Sequence, residues 1–186
     1  MKEKADLSTL SLAILGLISQ RPLTGYDLRK IFLTTPMGHF SSSPGAIYPA
    51  LKRIEETGWI RCDNSEGRTR RQRMVYKITA RGRNALKEHL SQPVTEEDVI
   101  WHMDDLMMRF AFMDGAVGPE KTLRFLQEFA ARIDAHVADL RSYFESARSI
   151  LPACGRLAME NGIQNYETNA RWARRAIQEL QATIDK

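Results

Sequence analysis

The stretch Ser43-Pro-Gly-Ala-Ile-Tyr-Pro-Ala-Leu-Lys-Arg-Ile-Glu-Glu-Thr-Gly-Trp-Ile60 decides the fold of this chain. It begins with Ser43 and Pro44, a strong start signal for a helix, because serine caps the first turn and the N–H that proline lacks is not needed there. Gly58 is a typical residue just beyond a helix C-terminus. The stretch therefore predicts a short helix followed by a strand.

The predicted helix has an apolar and a polar side. Its inner stripe consists of Ile47, Leu51 and Ile54, which helical spacing places on one face. Pro49 falls where a continuous helix uses an N–H, so we expect a bend or a tight first turn, at a cost on the order of 3 kcal/mol if nothing compensates. The other side carries Gly45, Tyr48, Lys52 and Arg53.

Two further helices are expected before this one. The first runs through the apolar residues from Leu7 to Ile18 and ends before Pro22. Thr24 is suited to cap the second, with Asp27 favourably placed in its first turn.

Two strand-like runs, Trp59–Cys62 and Met74–Thr79, follow the central helix and predict a hairpin. A fourth helix is expected over Ala80–Leu90. This order of elements is that of a winged helix-turn-helix. We expect a DNA-binding domain at residues 1–92, a boundary at Pro93–Thr95, and a second domain at residues 95–186.

Positive charge is concentrated in the first half of the chain. The formal net charge is +4, but residues 1–90 contain 16 Lys and Arg against 8 Asp and Glu, whereas residues 91–186 contain 11 against 15. Such a division indicates a polyanion-binding first half. The hairpin connection carries Arg68, Arg70, Arg71 and Arg73, which can replace the counterions of DNA. A solvated turn is the alternative interpretation of these arginines.

The candidate DNA contacts are of two kinds. Small residues suit the point where a helix N-terminus meets phosphate, and long side chains suit contacts with base edges or backbone. The small candidates are Ser42, Ser43 and Gly45, and the long ones are Tyr48, Lys52 and Arg53. Tyr26 is a further candidate, whose ring could pack while its hydroxyl touches phosphate. For Tyr48, partial burial between helices is the alternative.

The second half has a different pattern. Apolar residues recur in alternating steps of three and four from Leu123 to Ala147 and again from Ile163 to Ile184. A sustained seven-residue repeat is typical of a coiled coil. We therefore predict a mainly α chain with a small β-hairpin, in which a helix over Glu96–Met113 precedes an antiparallel helical coiled coil that forms a homodimer. The predicted dimerisation residues are Leu126, Ile133, Val137, Leu140, Phe144, Ile177 and Leu180.

Four motifs carry a resemblance to a known family. They are Thr24-Gly-Tyr-Asp-Leu28, Ser43-Pro-Gly-Ala-Ile-Tyr-Pro-Ala-Leu-Lys-Arg-Ile-Glu55, Gly58-Trp-Ile60 and Tyr76-Lys-Ile-Thr-Ala-Arg-Gly82. With them, the chain from Leu10 to Leu86 resembles the PadR family of transcriptional regulators. Pro49 is a familiar residue at its position in that family. Residues 95–184 are more weakly similar to the longer helical C-terminal domain of one PadR subfamily.

The resemblance implies a dimeric winged-helix repressor, or occasionally an activator, that holds operator DNA. It implies DNA contacts by Tyr26, Ser43, Gly45, Tyr48 and Lys52, with the hairpin arginines on phosphate or in the minor groove. The longer C-terminal domain implies dimerisation.

The resemblance also implies a small aromatic effector, since several PadR-like proteins respond to such compounds. Flat apolar ligands favour aromatic and thioether surroundings. The candidate effector residues are Trp101, His102, Met103, Met107 and Phe110. A plain core stripe is the alternative interpretation of these residues.

Other functional classes find little support in the sequence. The four histidines are scattered and no nucleophile, carboxylate pair or phosphate loop accompanies them, so we expect no enzyme, no cofactor and no metal. Cys62 and Cys154 lie far apart, which favours a reducing cytoplasm, with the protein at the nucleoid. The N-terminal apolar run is too short to span a membrane. The alternative function is a protein-interaction scaffold that uses a winged helix.

Overall fold

The computed structural model describes residues 7–39, 43–63 and 74–184. The chain forms two compact units. The first comprises the chain up to Leu90 together with Ala111–Ala116, and the second comprises Ser91–Phe110 and the chain from Val117 onward. The segment Ala111–Ala116 thus belongs to the first unit although it follows Ser91–Phe110 in the sequence.

The first unit has the elements of a winged helix. Its helices are α1 (Thr9–Gln20), α2 (Gly25–Thr34), α3 (Pro44–Glu56) and α4 (Ala80–Leu90), with a short 3-10 turn at Pro36–His39. Its strands are β1 (Leu23–Thr24), β2 (Ile60–Asp63) and β3 (Val75–Ile78). The predicted helices and both hairpin strands are present, and α3 continues through Pro49.

The sheet contains one strand more than the predicted hairpin. Its order is β1-β3-β2, with both pairs antiparallel. In the first pair Leu23 lies opposite Tyr76, and in the second Ile60 lies opposite Ile78. β1 has only two residues, too few for an alternating pattern to be recognised in the sequence.

The Thr79 side chain and Gly82 connect the start of β2 and the end of β3 to the first turn of α4. The Thr79 hydroxyl donates to the Gly58 carbonyl at 2.7 Å and accepts from the Gly82 N–H at 3.0 Å. A Cβ at Gly82 would lie 2.0 Å from the Trp59 carbonyl oxygen, so only glycine permits this approach of helix and strand. The motifs around Gly58 and Gly82 are therefore parts of one packing arrangement.

The core of the first unit is built around α1, in which every residue from Leu12 to Ile18 is buried. This helix packs against α3, β3 and α4. Phe112 and Met113, from the returning segment, are also buried in this unit, with 4% and 1% of their surface exposed. Gly16 lies directly against the Phe112 ring.

The second unit consists of α5 (Glu96–Trp101), α6 (Met103–Ala111), α7 (Pro119–Ala147) and α8 (Ala153–Ile184). The prediction of a single helix over Glu96–Met113 is wrong, because the helix is broken at His102. The His102 backbone leaves the helical conformation, with φ −130° and ψ 33°. The apolar periodicity continues across this break and so gave no sign of it. No helix among the described residues is long and apolar enough to cross a membrane.

The two long helices α7 and α8 pack side by side along their lengths. Asp134 forms an ion pair with Arg174 at 2.6 Å, and Arg141 forms one with Glu167. Partners that are later on α7 are earlier on α8, so the helices run antiparallel, as the coiled-coil pattern predicted. Both pairs lie on the surface and contribute modestly to stability.

Candidate nucleic-acid interface

The polar side of α3 is exposed and its apolar side is fully buried. Ile47 and Leu51 have no exposed surface and Ile54 has 2%, which anchors the helix in the core. On the opposite side, Gly45, Tyr48, Lys52 and Arg53 are exposed. We call these four residues the outer face of α3. The face is presented by a rigid helix, as recognition of a DNA groove requires.

The N-terminus of α3 is capped by Ser43. Its hydroxyl accepts a hydrogen bond from the Gly45 N–H at 3.2 Å, and its carbonyl accepts from the Ala46 and Ile47 N–H groups. Ser43 is exposed despite this role. A Cβ at Gly45 would approach only the Ser43 hydroxyl, at 3.4 Å, so the surface beside this first turn is open. The arrangement suits close approach of a phosphate.

Tyr48 holds the outer face of α3 against the start of α2. A Cβ at Gly25 would lie 2.6 Å from Cε1 of Tyr48 and 3.3 Å from its hydroxyl oxygen, so the ring lies directly on the glycine. Half of the residue surface nevertheless stays exposed, at 51%. Tyr48 is therefore partly buried between helices, and the exposed part of its ring remains available for a DNA contact.

Tyr26, next to Gly25, is 68% exposed at the first turn of α2. A capping box fixes this turn, with the Thr24 N–H donating to Asp27 Oδ2 at 2.9 Å and the Asp27 N–H donating to Thr24 Oγ1 at 3.1 Å. The capping box therefore fixes the turn on which Tyr26 lies, while the Tyr26 side chain is exposed.

Lys52 is an exposed cation on the outer face of α3. Its side chain is 78% exposed, and its ion pair with Glu56 spans 3.9 Å on the same helix. A pair of this kind contributes little free energy and is easily exchanged for another anion. Lys52 can therefore exchange Glu56 for a phosphate at small cost.

Exposed cations also occur where the sequence interpretation named none. Arg29 and Lys30 are exposed on α2, three and four residues after Tyr26 and so on the same side of the helix. Arg61 is exposed on β2, opposite Lys77 on β3, and Lys77 is paired with Asp63 at 2.9 Å. The spacing from Tyr26 was the signal that could have identified Arg29 and Lys30.

Part of the predicted interface lies outside the described residues. These positions are Ser42, Arg68, Arg70, Arg71 and Arg73. Their assignment continues to depend on the sequence alone.

The candidate effector residues do not form one group. Trp101 and His102 are exposed, whereas Met103, Met107 and Phe110 are half-buried. Phe110 belongs to an aromatic cluster, with its ring centroid 5.2 Å from that of Trp172 and 6.4 Å from that of Phe125. Phe110 is thus half-buried in an aromatic cluster, whereas Trp101 is exposed.

Arg109, which the sequence interpretation missed, is a buried cation beside this cluster. Its guanidinium lies 5.0 Å from the Phe125 ring centroid, 4.0 Å from Asp98 Oδ2, and donates through Nη2 to the Gln92 carbonyl. Burial lowers the pKa of Arg109, and Asp98 opposes that shift. Nothing in the sequence distinguishes Arg109 from a surface arginine in an amphipathic helix.

The predicted dimerisation residues divide by burial. Leu126, Ile133 and Phe144 are buried within the single chain, so they pack in its own core. Val137, Leu140, Ile177 and Leu180 are only half-buried. A second chain could cover the latter group but could not reach the former.

Comparisons with known proteins agree with this geometry. A sequence model described as the transcriptional regulator PadR-like family matches residues 14–88, and one described as the virulence activator alpha C-terminal region matches residues 104–181. Over residues 14–88 the chain is similar to the PadR-like family of transcriptional regulators. This match supports the class of protein that the sequence predicted, a DNA-binding transcriptional regulator.

Individual members of the PadR-like family are moderately similar to it. The negative transcriptional regulator PadR of Bacillus subtilis is 27% identical over 141 residues, which cover 75% of each chain. The transcriptional regulator YqjI of Escherichia coli is 31% identical over 83 residues, and the chain spans only 38% of its length. A crystal structure of Bacillus subtilis PadR with operator DNA is 22% identical, covers 93% of this chain and 99% of that one, and has a TM-score of 0.42.

Proposed function

We propose that this PadR-like protein is a homodimeric repressor that places α3 in the major groove of operator DNA. The outer face of α3 carries the proposal, because it joins an exposed tyrosine, lysine and arginine to a fully buried opposite side. Lys52 and Arg53 supply charge for phosphate or base contacts, and Tyr48 supplies a ring and a hydroxyl held by Gly25.

The remaining contacts position the protein on the DNA backbone. Ser43 and Gly45 at the start of α3 bind a DNA phosphate, and the Tyr26 hydroxyl contacts a neighbouring phosphate. Ser42 acts with them. The hairpin arginines, Arg68, Arg70, Arg71 and Arg73, bind phosphate or enter the minor groove. These contacts make affinity strongly dependent on salt.

The dimer forms through α7 and α8. Val137, Leu140, Ile177 and Leu180 are apolar and only half-buried in one chain, which supports a second copy as their cover. Two linked copies then bind two half-sites about one helical turn apart. We place this activity in the cytoplasm, at the nucleoid where the operator lies.

We further propose that a small aromatic compound releases the repressor. The half-buried side chains Met103, Met107 and Phe110 on α6, with the ring of Trp172 beside Phe110, support this part of the proposal. Titration with phenolic or cationic aromatic compounds should quench tryptophan fluorescence, and the quenching should be reduced in Trp172→Phe. Tryptophan fluorescence that none of these compounds changes would contradict the effector proposal.

Binding to the DNA upstream of the protein's own gene tests the main proposal. Fluorescence anisotropy with that DNA should give an affinity that falls steeply as salt rises, and a weaker affinity for an unrelated duplex. The second candidate function is a protein scaffold built on the winged helix. An affinity that is equal for both duplexes and does not change with salt would favour the scaffold.

A further inference from the structure

We propose that Phe112 is a positioning residue for DNA binding, whose ring packs on α1 and thereby holds α3 in its DNA-contacting position. The inference rests on the proposed function, since it concerns the helix that contacts DNA. It goes beyond that function by assigning a role to a residue outside the winged-helix sequence.

The first observation is the closeness of Phe112 to α1. A Cβ added to Gly16 would lie 2.5 Å from both Cγ and Cδ2 of the Phe112 ring. Unbonded carbon atoms prefer separations of about 3.5–4.0 Å, so the ring occupies the space of the missing side chain. Both residues are buried, and Phe112 exposes only 4% of its surface. The ring therefore packs directly on the helix backbone.

The second observation is that α1 supports α3. The buried residues Leu12–Ile18 form the centre of the first unit, and α1 packs against α3 within it. On α3, Ile47 and Leu51 are fully buried on the side opposite the outer face. Because protein cores are close-packed, a displacement of α1 is passed to the helix packed on it.

The third observation is that the chain is also anchored just before Phe112. Arg109 is 3% exposed, donates to the Gln92 carbonyl, and lies over the Phe125 ring in the second unit. Only two residues lie between Arg109 and Phe112. The segment that leads into Phe112 is therefore itself held by buried contacts.

Size compensation between positions 16 and 112 tests the proposal. Gly16→Ala overfills the contact and should weaken operator binding. Phe112→Leu underfills it and should also weaken binding, whereas the double variant should recover most of the wild-type affinity. We expect each single change to raise the operator Kd roughly 5- to 150-fold, the range of typical couplings between sites. Anisotropy measured well below the melting temperature of each variant gives these values.

Gly162→Ala is the matched control. Gly162 lies inside α8 with no atom within 4 Å of an added Cβ, so the change should leave the operator Kd unaltered. Thermal melting separates positioning from stability. A lower Tm for Gly16→Ala with a wild-type Kd would overturn the proposal, and so would a double variant as weak as the singles.

If Gly16→Ala does not fold, the operator Kd of Phe112→Leu alone tests the proposal. A Kd raised several-fold in the folded Phe112→Leu protein supports the positioning role, and an unchanged Kd overturns it. Failure of the proposed function has a different signature, because the wild-type protein itself would then not prefer operator DNA.

Discussion

The ring of Tyr48 lies on Gly25, so the centre of α3 and the first turn of α2 are held together at the surface. The contact joins two of the motifs that identify the family. It also fixes the orientation of the Tyr48 hydroxyl while leaving 51% of the residue exposed.

Gly25→Ala should weaken operator binding. The added methyl would lie 2.6 Å from Tyr48 Cε1 and would push the ring out of its position. We expect a Kd about 10-fold higher, since losing one oriented contact typically costs 1–3 kcal/mol. Anisotropy with operator DNA measures it. Tyr48→Phe keeps the ring on Gly25 and serves as the control for the hydroxyl, and a wild-type Kd for Gly25→Ala would contradict the role assigned to the contact.

Lys52→Gln should reduce both the affinity for DNA and its salt dependence. Removing one phosphate contact lowers the slope of log K against log salt by about 0.9. Lys121→Gln, on α7 in the second unit, removes the same charge from an exposed position and should leave the slope unchanged. Equal slopes for Lys52→Gln and wild type would place Lys52 away from the DNA backbone.

Leu140→Asp should produce monomers. Leu140 is half-buried on α7, and covering an uncompensated carboxylate in an apolar interface is costly. Sedimentation velocity gives the oligomeric state, and circular dichroism checks that the helices remain. Ile133→Asp is unsuitable for this purpose, because Ile133 is fully buried within the chain and its replacement would unfold the unit. A folded Leu140→Asp dimer would show that the interface lies elsewhere.

Cys154 should react with iodoacetamide much faster than Cys62. Cys154 is exposed, whereas burial raises the pKa of the half-buried Cys62 thiol and the nearby carboxylates of Glu55 and Asp63 raise it further. Only the thiolate reacts, so at pH 8 the raised pKa keeps Cys62 mostly in its unreactive thiol form, and its rate should rise as the pH increases. Peptide mass spectrometry of timed samples follows each cysteine. Equal rates would contradict the placement of Cys62 on β2.

Gly82→Ala should destabilise the first unit by about 1–3 kcal/mol, the usual cost of overpacking. A Cβ at Gly82 meets the Trp59 carbonyl at 2.0 Å, and backbone cannot easily move away. Urea unfolding measures the change in free energy. Gly162→Ala, in open space on α8, is the control and should not lower stability.

The sequence predicted the elements whose signals are local. The cap at Ser43 and the stripe of Ile47, Leu51 and Ile54 define α3 without reference to the rest of the chain. The break at His102 was missed because periodicity continues across it. The strand β1 was missed because two residues carry no alternation.

Contacts between distant residues could not be predicted in the same way. A heptad pattern places Ile133 and Leu140 on one seam, but only packing decides that Ile133 is covered by its own chain and Leu140 is half-exposed. Phe112 lies just beyond α6 and outside its apolar stripe, yet its ring packs on Gly16. The outer face of α3 was predictable, because exposure on one side follows from burial on the other.

The most direct test of the central claim is the stoichiometry of the complex with operator DNA, measured by sedimentation of a labelled duplex at two salt concentrations. We predict two chains per duplex, with an affinity that falls steeply at the higher salt. One chain per duplex, or an affinity that salt does not change, would contradict the account.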